Sequence, residues 1–221
     1  MRLHSICFSV ILTSVAPFSG SLMAQDPPAR DLHLRGDRFK PLTYDQLNPE
    51  QKAMIEHLLS GDRGGTTTGP FNVTLRDPAM GDLAQKLGAQ LRFHSALPNR
   101  LNELAILMTA RFWTAQYEWS AHRKNAITAG LNPAIIDAIA AGQRPTSMQP
   151  DEEIIYNFSH ELLATKQVTD ATFKAVVDKF GEKGAVDLTA VMGYYSFVSL
   201  ILNVDRYPLA DGEKPQLKPL P

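Results

Sequence analysis

Cysteine is almost absent from this chain of 221 residues: the one example, Cys7, lies in the first apolar stretch. Beyond that stretch there is no thiol to form a disulfide, attack a substrate or bind zinc, so any metal site would have to use histidine and carboxylates alone. An excess of charge of either sign is also missing, with Lys+Arg 22 against Asp+Glu 23. Such a balance disfavours a disordered chain and a surface that coats nucleic acid. Long apolar runs are confined to the start, where Arg2 precedes Ser5 to Phe18 and then Ser21-Leu22-Met23-Ala24. That pattern reads as a secretory signal over 1–24, cleaved after Ala24, and implies a periplasmic or secreted protein. The apolar run is shorter than the ~20 residues that span a bilayer, so no membrane span is expected after cleavage.

Several nucleotide and metal signatures are incomplete. The glycine-rich stretch GDRGGTTTGP, residues 61–70, lacks the Gly-Lys-Ser/Thr ending of a phosphate loop and follows no strand, so it reads as a mobile connection. His160-Glu161 would need a histidine at 164 to form a zinc protease motif, and Ala164 stands there. No metal or cofactor is called for.

What is present is helical punctuation. Asn48-Pro49, Asp77-Pro78 and Asn132-Pro133 each place a capping side chain before a proline suited to the first turn, and Gly61, Gly130 and Gly142 follow apolar-periodic runs. The 3.6-residue pattern predicts helices near 49–59, 78–93, 100–129, 133–141, 151–165, 170–180 and 183–203. The expected fold is therefore all-α, a single domain of about seven helices over 41–207. An extended leader over 25–40 and a proline-rich tail over 208–221 flank it.

The segment that carries chemistry is Asn99 to Gly130, expected to be one long, largely buried helix. At ~100° per residue, Arg111, Glu118 and His122 fall within about 40° of one stripe and can face one cavity. Glu118 and His122 are spaced i, i+4 and can touch. Histidine exchanges a proton near neutral pH, a carboxylate orients it or relays the proton, and arginine holds an anionic group. An ordinary solvated ion pair fits the same spacing. Glu103 can pair with Arg111 or line the pocket. His94 and Arg92 sit where a cavity mouth would be. Trp113, Tyr117, Trp119, Tyr194 and Tyr195 read as packing groups, with one hydroxyl of the Tyr194 and Tyr195 pair able to reach the pocket.

The runs Arg100 to Leu107, Glu118-Trp119-Ser120-Ala121-His122 and Ala126 to Leu131 resemble the carboxymuconolactone decarboxylase-like family, which includes the alkyl hydroperoxidase D-type peroxidases. The likeness extends to Gly69-Pro70-Phe71-Asn72, Leu91-Arg92-Phe93, Val168 to Phe173 and Gly193-Tyr194-Tyr195, and so spans about 40–207. It implies an alkyl hydroperoxidase D-like helical fold and a homo-oligomer, a trimer or a multiple of one. Glu103 and His122 match the outer positions of the peroxidase signature, but Ala115 and Glu118 stand at its cysteine positions, which rules out thiol peroxidase chemistry at this site. The resemblance therefore implies the decarboxylase branch, which acts without a cofactor on a carboxylated unsaturated lactone. On that reading His122, Glu118 and Arg111 are catalytic, and Glu103, His94 and Arg92 contact a small anionic substrate. Hydration, isomerisation or thiol-independent peroxide handling in the same pocket, or a non-catalytic oligomeric binding role, are the alternatives.

Overall fold

The computed structural model describes residues 30–65 and 67–219, so the expected signal over 1–24 lies outside the described residues. Among them there are helices and no strand. A single 3-10 turn, Tyr44–Gln46, precedes α1 (Pro49–Ser60), the one-turn α2 (Phe71–Thr74), α3 (Pro78–Phe93), α4 (Asn99–Phe112), α5 (Gln116–Thr128), α6 (Pro133–Ala140), α7 (Pro150–Thr165) and α8 (Asp170–Asp205). The all-α expectation holds.

The helix starts follow the local chemistry read from the sequence. Asn48 accepts from the Gln51 amide, Asp77 from Met80 and Asn132 from Ala134, and in each case the following proline opens the helix. These side chains satisfy amides that the first turn leaves without intrahelical partners. Gly130 and Gly142 adopt left-handed φ values after α5 and α6, whereas Gly61 is extended. Within α8 the break falls at Gly181, with φ 73 and ψ 173, which separates the two segments expected over 170–180 and 183–203. By length and composition α8 could cross a membrane, yet half of its most apolar window is buried inside the fold.

α4 is the axis of the molecule. Every residue from Leu101 to Arg111 is buried, because α5, α6, α7 and α8 all pack around it. Leu104, Leu107, Trp119, Ile136, Ile155 and Val191 belong to the resulting core. A smaller cluster, including Leu32, Met54, Ile55, Leu58 and Phe71, joins α1 and α2 to the leader. Arg100 ties the start of α4 to Asp151 and Glu152 of α7, and the Asn102 amide donates to the Leu91 carbonyl near the end of α3 at 2.8 Å.

One expected element is corrected. The single helix predicted over 100–129 is α4 and α5, separated at Trp113 to Ala115. Thr114 adopts φ 48, the Thr114 amide donates to the Arg111 carbonyl and the Ala115 amide donates to Ala110. This is the paired-bond helix stop that glycine usually makes, built here on a β-branched residue that disfavours the left-handed region. No glycine marks the stop, so the apolar period runs across it unbroken.

The irregular ends are docked. Asp205 accepts from the amides of Asp37 and Phe39, and Asn72 donates to the Phe39 carbonyl. In the tail Leu217 is buried, Gln116 bonds its amide and carbonyl, and Trp119 donates to Gln216.

Candidate active site

The break between α4 and α5 folds α5 back along α4 and brings side chains 19 residues apart into contact. His122 on α5 meets Glu103 on α4, Nδ1 to Oε2 at 2.6 Å, while its Nε2 lies 3.1 Å from Oε1 of Glu118 one turn earlier. All three side chains are at least nine-tenths buried. The Tyr195 ring packs edge-on against the imidazole with centroids 4.9 Å apart.

Burial disfavours the charged imidazole, but the adjacent carboxylates of Glu103 and Glu118 outweigh it and push the pKa from 6.5 up to about 9. At neutral pH His122 is therefore an imidazolium, its Nδ1 donating to Glu103 and its Nε2 in ion-pair contact with Glu118. The two carboxylates are not equivalent. Glu118 lines a cavity of about 510 Å3 together with His122, whereas Glu103 lies behind the ring and outside that lining.

Beyond Tyr117, Ala121 and Asn125 of α5 and Phe71 of α2, the wall comes from three places. α8 contributes Tyr194, Tyr195 and Val198; the end of α3 contributes Arg92 and Phe93; and the 61–70 connection contributes Asp62, Arg63, Gly69 and Pro70. That connection is tied down rather than loose. Thr67 donates to the Leu32 carbonyl, the Gly69 amide donates to the Tyr207 hydroxyl at 3.0 Å, and Arg63 donates to the Gln85 carbonyl and the Tyr194 hydroxyl. Gly88 makes room for this arrangement: a β-carbon there would lie 2.1 Å from Arg63 Nη2 and 2.2 Å from the Tyr194 oxygen. Arg63 and Arg92 line the cavity, and among the described residues no carboxylate forms an ion pair with either, although Asp62 and Glu118 share the same lining.

The sequence-predicted residues therefore divide. Glu118, His122 and Arg92 line one cavity, and Glu103 supports His122 from behind. His94 stands outside the lining and pairs through Nε2 with Asp62 at 2.9 Å, at the exposed rim. Arg111 is not brought to this cavity. The stripe that joined it to Glu118 and His122 assumed a continuous helix, and the stop at Thr114 ends that phase relation; Arg111 lines a different cavity between α4, α6 and α7.

Arg63 was missed because it lies in a stretch whose glycines read as a connection, whereas Tyr194 and Tyr195, read mainly as packing groups, both line the cavity. The arrangement can hold an anion against Arg63 and Arg92 and deliver a proton from His122 by way of Glu118. Neither a protein-family model nor a curated protein matches this chain.

Proposed function

We propose that this protein is an exported, cofactor-independent lyase-type enzyme that decarboxylates a small carboxylated lactone or a related anionic substrate. The observation that carries the reading is His122 held as an imidazolium between Glu103 and Glu118 on the wall of a cavity that also presents Arg63 and Arg92. The family resemblance over 40–207 points to the same chemistry.

In this reaction the bond from a ring carbon to a carboxylate breaks, carbon dioxide leaves, and the electron pair enters a dienolate conjugated with the lactone carbonyl. Arg63 and Arg92 stabilise the carboxylate in the ground state and the oxyanion that develops. The proton that completes the product comes from His122 through Glu118, which is the carboxyl group at the cavity face. Glu103 keeps the ring oriented and charged. His122 is then reprotonated from solvent, so each turnover consumes one proton. Because the imidazolium is the resting form, His122 acts as the donor, and activity falls as pH rises through about 9. The anion-anchoring role expected of Arg111 passes to Arg63 and Arg92, which line the same cavity as His122.

The test is release of carbon dioxide and loss of ultraviolet absorbance on a panel of carboxylated unsaturated lactones and β-keto acids. His122→Asn and Glu118→Gln are expected to lower turnover by about a hundredfold or more. A folded His122→Asn variant that turns over normally, or silence of the wild type across the panel, overturns the proposal.

A further inference from the structure

The second cavity presents a different chemistry. It is enclosed by α4, α6 and α7, has a volume of about 230 Å3, and is walled mainly by Met108, Phe112, Ile139, Tyr156 and Leu163. It reaches the surface at His160 and Ala164, both exposed. In this apolar wall sits the Arg111 guanidinium, 5% exposed. Its Nη1 donates to Thr114 Oγ1 at 3.3 Å, and its Nε is buried with no hydrogen-bond partner. Among the described residues no carboxylate pairs with Arg111, whereas Arg100, at the other end of the same helix, is held by both Asp151 and Glu152.

A buried cation without a counter-charge, facing a pocket of apolar side chains, is an arrangement that stabilises a ligand rather than the empty fold. Burial alone already lowers the Arg111 pKa, so an anion brought beside it gains the full benefit of a weakly screened site. Of the cations near its aromatic walls, Lys166 lies 4.9 Å from the centre of the Phe112 ring, while Arg144, 4.9 Å from that of Tyr156, is paired with Glu153.

We infer that this cavity is a second binding site, separate from the one containing His122, for a small amphipathic carboxylate whose head group pairs with Arg111 and whose apolar body fills the space between Met108, Ile139, Tyr156 and Leu163. At ~30 Å3 per water-sized group the volume suits a body of roughly eight non-hydrogen atoms, the size of hexanoate. A guanidinium donates strongly to a carboxylate, and with Nη1 on Thr114 and Nε buried, Nη2 is the group of Arg111 left to do so. The inference stands apart from the decarboxylase reading, since it uses none of the residues of that site.

The test is calorimetric titration of the full chain with hexanoate, with hexanamide as the neutral analogue and inorganic phosphate as a compact anion. Hexanoate is expected to bind once per chain, hexanamide at least tenfold more weakly, and phosphate not measurably. Arg111→Met is expected to abolish hexanoate binding. Ala164→Phe, an exposed substitution that fills the mouth without touching the core, is expected to weaken it at least tenfold. His122→Asn is expected to leave it unchanged. Equal binding of hexanoate and hexanamide, retention of binding in Arg111→Met, binding of phosphate as tight as that of hexanoate, or no binding at all overturns the inference. So does a shift in oligomeric mass on Arg111→Met with no hexanoate binding, because Arg111 would then meet a carboxylate of a second copy.

Discussion

Two buried cations line separate cavities, and their surroundings differ in one respect that matters. His122 is enclosed by Glu103 and Glu118, and the attraction of those carboxylates overcomes the desolvation of the imidazolium. Arg111 is as deeply buried, bonds only the Thr114 hydroxyl and shares its cavity with mainly apolar side chains and no carboxylate. The first cation is compensated by the protein itself; the second awaits compensation from outside. A compensated cation adds to stability and can give up its proton when a reaction demands one. An uncompensated, permanently charged guanidinium subtracts from stability and can only attract an anion.

The largest test of this contrast is pH. With the His122 pKa raised from 6.5 to about 9, the ionic trio stabilises the fold fully below pH 6.5, where the histidine is protonated both folded and unfolded. Between pH 6.5 and about 9 the unfolded chain loses that proton while the folded one keeps it, so the contribution declines and is gone above about 9. The full amplitude is on the order of 3 kcal/mol. Urea unfolding at pH 6, 7.5 and 9.5 is expected to show the decline in the wild type and a flatter profile in Glu103→Gln. Equal slopes in the two proteins would mean that Glu103 does not hold the proton on His122.

Arg111 is expected to respond with the opposite sign. Replacing it by methionine removes an unpaired buried charge and keeps most of the volume, so stability should rise by roughly 1 kcal/mol or more, with little dependence on pH. Glu103→Gln, in contrast, is expected to destabilise the protein by a comparable or larger amount at pH 6, because a buried imidazolium loses one of its two carboxylate partners. Chemical unfolding of both variants at pH 6 checks the pair. Destabilisation by Arg111→Met would show that the guanidinium is already satisfied and would erase the contrast.

The reason the sequence places these two cations together, and the structure does not, lies in residues 113–115. Apolar spacing, capping side chains and prolines made most helix limits legible, because each is a local effect written in adjacent residues. The stop at Thr114 is also local, but it uses a residue that ordinarily argues against it, and nothing in the apolar period marks it. Once α4 and α5 separate, contacts that depend on helical phase no longer hold, and contacts such as Glu103 to His122 arise from chain reversal. Glu118 to His122 was legible because it lies within one helix on one side of the break. Arg63 was not, since its place depends on bonds to Gln85 and Tyr194 from distant helices.

The smallest expected effect isolates that stop. Thr114 is strained at φ 48, and its hydroxyl is the hydrogen-bond partner of the Arg111 guanidinium. Glycine at this position relieves the strain of a side chain in the left-handed region but also strips that bond from a buried cation. In the wild-type background the two effects oppose each other, and Thr114→Gly should change stability by less than about 0.5 kcal/mol. In an Arg111→Met background the bond is already gone, so the same substitution should stabilise by about 1 kcal/mol, and the difference between the backgrounds measures the coupling of the two side chains. Equal effects in both backgrounds would mean that the bond contributes nothing and that packing alone holds Arg111 in its cavity. A positive coupling would show that a residue unsuited to its backbone conformation is kept there because the unpaired guanidinium needs its oxygen.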